Sequence, residues 1–129
     1  MVKIPEDLKY TKDHEWIRVE GDVAVEGITD YAQSELSDIV MVELPEVGRV
    51  VKLGESIGVI EAVKAVADLY AAVSGEVVAV NEKIVATPQL INQDPYGEGW
   101  MVKIRMSNPS ELDTILSSED YQQLIGEKE

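Results

Sequence analysis

The sequence lacks cysteine altogether. Disulfides, thiolate nucleophiles, iron–sulfur clusters and cysteine-ligated zinc sites are therefore excluded together. If this protein takes part in thiol chemistry, the sulfur has to come from a group that is attached to the chain.

Histidine is almost as scarce, because His14 is the single one. A Ser–His–Asp triad would have to use it, and no G-x-S-x-G nucleophile elbow occurs. The segment DHEW at 13–16 places one imidazole beside two carboxylates, which is a weak pattern for a metal site. We expect no metal and no catalysis by this chain alone, and we expect His14 to be a surface or structural residue. A hydrolase or metal enzyme built on His14 is the open alternative.

Positive charge is also in short supply. The chain has 11 basic and 25 acidic residues, and its formal net charge is −14. Such a surface repels phosphate backbones, so no nucleic-acid partner is expected, whereas docking on basic surfaces of protein partners is favoured. No apolar run approaches the roughly 20 residues of a membrane span, and no signal-peptide pattern occurs. These features predict a cytoplasmic protein without a membrane segment.

Short bursts of β-branched residues, separated by glycine and proline, indicate a mainly β fold. Gly21 and Asp22 are expected to form the turn of a hairpin that spans 14–28. Thr29 is a good helix N-cap, so a short helix is expected near 29–36. The remaining expected elements are strands at 39–44 and 100–106, a loop-rich segment at 87–100 and C-terminal helices over about 109–126. Together they predict one domain of residues 1–129.

Lys64 lies in an apolar run, and its surroundings support two interpretations. Residues 61–72 contain good helix formers without Gly or Pro, which predicts a helix with Lys64 on its solvated face. Gly54 and Gly75 lie ten residues before and eleven residues after Lys64, where strands would begin or end. That spacing predicts a hairpin with Lys64 at its exposed tip.

The motifs and their order resemble the glycine cleavage system H protein family and, more distantly, the lipoyl and biotinyl carrier domains. They cover nearly the whole chain: YTKDHEW at 10–16, GITDYAQSELSDIV at 27–40, VELPEVG at 42–48, EAVKAVADLYAAVSGEVVAVN at 61–81 and LINQDPYGEGW at 90–100. Biotinyl carriers are less similar, because they have methionines beside their lysine and this chain has Val63 and Ala65.

This resemblance implies a barrel-sandwich hybrid of two small antiparallel sheets, and it implies that Lys64 carries lipoate in amide linkage. In the family the arm takes the aminomethyl group of glycine from glycine decarboxylase to the aminomethyltransferase. Its dithiol form then goes to dihydrolipoyl dehydrogenase. Lipoylating enzymes are the other expected partners, and such a mobile carrier is expected to be a monomer. An H-protein-like carrier that serves lipoyl relay or sulfur metabolism is the alternative.

The resemblance also implies a surface cleft that shelters the loaded arm. Glu15 and Asp68 match motif positions from which a carboxylate could stabilise a cationic group. Without that role, Glu15 would be an acid at a strand end and Asp68 a solvent-facing hairpin residue. Glu35 stands where some family members have a histidine, so shielding of the arm by a histidine is not implied for this chain.

Overall fold

The computed structural model describes residues 2–126, which form two antiparallel sheets, with strands numbered in chain order. The larger sheet has the order β1 (Lys9–Tyr10), β2 (Glu15–Glu20), β3 (Val23–Ile28), β9 (Val102–Met106), β8 (Gly75–Val80) and β5 (Val50–Val51). The smaller sheet has the order β4 (Ile39–Glu43), β6 (Ser56–Ala62) and β7 (Val66–Tyr70). The predicted mainly β fold with two antiparallel sheets is therefore confirmed.

The helices are short and connect or cover these sheets. They are α1 (Asp30–Leu36), α2 (Glu82–Ala86), α3 (Gln89–Gln93), a 3₁₀ helix (Pro109–Thr114) and α4 (Ser118–Ile125). The loop-rich segment 87–100 also contains α3, which begins directly after Pro88, because the proline ring fixes a helical φ. No helix within residues 2–126 has the length and apolar character needed to cross a membrane.

The hairpin and the first helix agree with their sequence signals. Glu20 pairs with Val23 across a two-residue turn, and Gly21 takes a φ of 65°, a conformation that glycine adopts without strain. The side chain of Thr29 accepts a hydrogen bond from the Ala32 N–H at 3.1 Å, which caps α1. Both predictions are confirmed.

Two hydrophobic clusters stabilise the fold, one on each side of the larger sheet. Side chains from both sheets form the main cluster, among them Ile17, Ile60 and Leu69. An aromatic cluster contains Trp16, Tyr10 and Tyr121 of α4, and the two tyrosine rings stack with centroids 4.8 Å apart. Successive side chains of a strand point to opposite faces, so β2 contributes to both clusters.

The helix interpretation of residues 61–72 is wrong, because β6 and β7 form an antiparallel hairpin there. Glu61 pairs with Val66, and the Ala62 N–H donates to the Ala65 carbonyl at 2.7 Å. The strands bury Ile60 and Leu69 in the main cluster, with exposed fractions of 1% and 0%. Burial of large apolar side chains outweighs local helix preferences of a few tenths of a kcal/mol per residue, so tertiary packing decides this segment.

Candidate functional site

The tip of the β6–β7 hairpin presents Lys64 to solvent. Lys64 is exposed, as are Val63 and Val66 beside it, at 66% and 68%. The backbone around it is nevertheless fixed, because the Val63 N–H donates to the Asp38 carbonyl at 3.0 Å. Within residues 2–126 the Lys64 ammonium group forms no ion pair. Its nitrogen is therefore accessible, while the tip that holds it is anchored.

A groove of about 300 Å³ lies between the hairpin and α1. Its apolar lining comes from Ile28, Ala32, Leu36, Ile60 and Ala67. Three acidic side chains, those of Asp13, Glu35 and Asp68, also line it. The groove can therefore hold an apolar chain and place a cationic group beside carboxylates.

His14 lines this groove and contacts the C-terminal helix α4. Its Nδ1 lies 2.9 Å from the Tyr121 hydroxyl, which in turn lies 2.8 Å from the Thr29 hydroxyl. Its ring also packs on Tyr31, with centroids 4.9 Å apart. Burial lowers the pKa of His14, which favours the neutral imidazole. These contacts give His14 a structural role, and no cluster of three His, Asp or Glu side chains within residues 2–126 is arranged for a metal.

The structure separates the two acids that the sequence grouped together. Asp68 is exposed on the groove, where its carboxylate accepts a hydrogen bond from the Tyr70 hydroxyl at 3.4 Å. Glu15 is only 1% exposed and does not line this groove. Its two oxygens accept hydrogen bonds from the Thr11 hydroxyl and the Tyr70 N–H, each at 2.9 Å. Only Asp68 is therefore presented directly to a group lying in the groove.

A second buried acid, Glu26, was missed by the sequence analysis. Its side chain is 0% exposed, Oε1 accepts a hydrogen bond from the Ala72 N–H at 3.1 Å, and Oε2 has no partner within residues 2–126. The strand pattern VAVEGI contained a signal for it, because two-residue alternation puts Glu26 on the same face as Ala24 and Ile28. An acid on a core-facing position requires a specific partner.

The two buried acids also influence each other. Burial raises the pKa of Glu15, and burial followed by repulsion from Glu15 raises the pKa of Glu26 well above the usual carboxyl range. Two close carboxyl groups in a poorly hydrated site resist simultaneous ionisation. Both shifts favour the neutral, protonated form of the carboxyl groups.

Comparisons with known proteins agree over nearly the whole chain. The profile of the family described as "Glycine cleavage H-protein" matches residues 8–128. A "Glycine cleavage system H protein" from Carboxydothermus hydrogenoformans is 56% identical, with 99% of this chain and 98% of that protein aligned. Its counterpart from Symbiobacterium thermophilum is 58% identical over 94% of each chain. The crystal structure of a glycine cleavage system H protein from Mycobacterium marinum is 41% identical and superposes with a TM-score of 0.88, over 95% of this chain and 99% of that chain.

Proposed function

Because the chain belongs to the glycine cleavage H-protein family, we propose that Lys64 is the residue through which it carries lipoate. The protein is a lipoyl-carrying shuttle of the glycine cleavage system, and lipoate is its covalent cofactor. Its partners are the glycine decarboxylase, the aminomethyltransferase and the dihydrolipoyl dehydrogenase of that system. When attached, lipoate supplies the dithiolane chemistry that a chain without cysteine lacks.

The exposed, anchored position of Lys64 is the observation that carries this proposal. A modifying enzyme needs a lysine nitrogen that it can enclose, on backbone held in one conformation. Two other lysines show the contrast, because Lys83 pairs with Glu98 at 3.3 Å and Lys103 lies over the Trp100 ring at 5.0 Å. The hairpin tip thus presents Lys64 as an accessible nucleophile beside a groove that can hold an apolar chain and a cationic group.

The groove residues suit the task of sheltering a long acyl arm. Its apolar walls exclude water from whatever lies against them, and its acidic rim attracts a cation. Among the acids, Asp68 is positioned to contact the arm directly, and Asp13 and Glu35 add negative charge on the same groove. A contact between Glu15 and the arm stays a prediction, since both Glu15 oxygens already have partners.

The remaining expectations concern how the carrier works. We propose that this chain has no catalytic activity of its own, in line with the single histidine and the absence of cysteine in its sequence. The cytoplasmic location, the monomeric state and the single domain over residues 1–129 also stay predictions.

The variant Lys64→Arg tests the proposal, because arginine keeps the positive charge but cannot form the lipoyl amide. We expect complete loss of glycine–bicarbonate exchange when the variant is combined with glycine decarboxylase after treatment with a lipoylating system. The matched control Lys83→Arg changes another exposed lysine and should retain wild-type exchange. Exchange by Lys64→Arg at the wild-type rate would overturn the assignment of Lys64.

A further inference from the structure

Two carboxyl groups of the larger sheet reach the same short segment of the hairpin. Glu15 on β2 accepts from the Tyr70 N–H at 2.9 Å, and Glu26 on β3 accepts from the Ala72 N–H at 3.1 Å. Ile17 of β2 pairs with Glu26, so the two acids stand on neighbouring strands two residues apart in register. They therefore accept hydrogen bonds from alternate N–H groups of residues 70–72.

This segment is the base of the Lys64 hairpin, where β7 ends. Between the two clamped residues, Ala71 points its backbone groups the other way. The Ala71 N–H donates to the Glu55 carbonyl at 2.8 Å, and the Ala71 carbonyl accepts from the Gly54 N–H at 2.8 Å. The base is thus held by backbone on one side and by carboxyl side chains on the other.

We propose that Glu15 and Glu26 form a clamp that fixes the base of the Lys64 hairpin against the larger sheet, with Glu26 a positioning residue that acts through Ala72. The clamp sets the direction in which the hairpin projects from the body. Its importance for carrier activity rests on the proposed function of Lys64, but the clamp itself exists without lipoate.

The protonation of the pair fits this role. A neutral carboxyl still offers a carbonyl oxygen to an N–H donor, whereas two adjacent buried anions repel each other. Glu26 is fully buried, and its Oε2 has no hydrogen-bond partner among residues 2–126, which disfavours its charged form.

Amide hydrogen exchange of the unmodified protein, followed by NMR, tests the clamp. Glu26→Leu removes the acceptor, and we expect the Ala72 amide to exchange roughly tenfold faster or more, as for loss of a buried hydrogen bond. Glu26→Gln keeps a carbonyl acceptor of the same shape and should restore protection of Ala72. The Ala71 amide, which donates to the Glu55 carbonyl, should not change relative to the amides of β7. An Ala72 amide that remains as protected in Glu26→Leu as in the wild type would overturn the proposal.

Two controls keep this result interpretable. Glu43→Leu replaces an exposed acid of the smaller sheet and should leave the Ala72 amide as protected as in the wild type. If Glu26→Leu does not fold, Glu15→Leu gives the same test on the other half of the clamp, because the Tyr70 amide loses its acceptor and should exchange roughly tenfold faster or more. A Tyr70 amide that is as protected in Glu15→Leu as in the wild type would then contradict the clamp. Neither result depends on whether Lys64 accepts lipoate, so the two proposals can fail separately.

Discussion

The tip and the base of the lysine hairpin are built on opposite principles. At the tip, Val63 and Val66 are 66% and 68% exposed, and Lys64 extends into solvent. Eight residues beyond Lys64, Ala72 is 4% exposed and donates its N–H to a fully buried carboxyl group. The contrast shows how a carrier can combine a freely moving side chain with a fixed direction of presentation. The base of the hairpin is buried and hydrogen-bonded, whereas the tip is accessible to solvent.

The largest stability difference is expected along a single strand, β7. Leu69→Ala removes a side chain with 0% exposure from the main cluster and should cost about 2–5 kcal/mol of unfolding free energy. Val66→Ala, nearer the tip on the same strand, should change it by less than about 0.5 kcal/mol. Urea denaturation of both variants measures the difference. Similar losses for both would show that the tip is as firmly packed as the base.

The pH dependence of the unfolding free energy tests the protonation of Glu15, which contacts the base of the lysine hairpin. Because the pKa of Glu15 is raised to about 8, the folded state keeps a proton that the unfolded chain releases above about pH 4.5. Folding therefore binds protons in this window, and stability falls as the pH rises from about 5 to 8. The unfolding free energy of Glu15→Gln minus that of the wild type should therefore increase with pH over that range, by up to about 1.4 kcal/mol per pH unit.

The difference in unfolding free energy between Glu15→Gln and the wild type removes the pH dependence that His14 contributes to both proteins. The lowered pKa of His14 makes stability rise with pH near neutrality in both proteins, so its contribution cancels. Denaturant midpoints measured at several pH values provide the data. A difference that stays constant from pH 5 to 8 would show that Glu15 ionises normally in the folded protein.

The smallest effect is expected at the groove beside the tip. Asp68→Asn removes one exposed negative charge from the groove. The carrier loaded with the aminomethyl group should then lose that group in buffer about twofold faster, as for loss of one exposed ion pair. Glu82→Gln removes an exposed acid that does not line the groove and serves as the control. Equal lifetimes for Asp68→Asn and wild type would remove Asp68 from the list of arm contacts.

The sequence predicts those parts of the fold that local signals determine. Gly21 and Asp22 located the first hairpin, and Thr29 located α1. At 61–72 local propensity favoured a helix, whereas the glycine spacing around Lys64 and the family resemblance supported a hairpin. The structure has that hairpin, and its strands bury Ile60 and Leu69. Of the site, Lys64 and Asp68 were singled out in advance, and both are exposed on the hairpin.

The buried clamp could not be predicted, because its contacts join distant parts of the chain. Glu26 meets Ala72 across 46 residues, and Glu15 meets Tyr70 across 55. The alternation in β3 shows that Glu26 faces inward, but it does not reveal which N–H group compensates for its burial. Only the packing of the two sheets brings those donors and acceptors together.

The mass of the peptide that contains Lys64 tests the central claim most directly. The protein should be produced together with a lipoylating system and digested, and its lysine-containing peptides should be compared by mass spectrometry. The account predicts the mass of one lipoyl group on the Lys64 peptide and none on the Lys83 peptide. An unmodified Lys64 peptide in a preparation whose intact mass shows lipoylation, or no lipoylation at all, would contradict it.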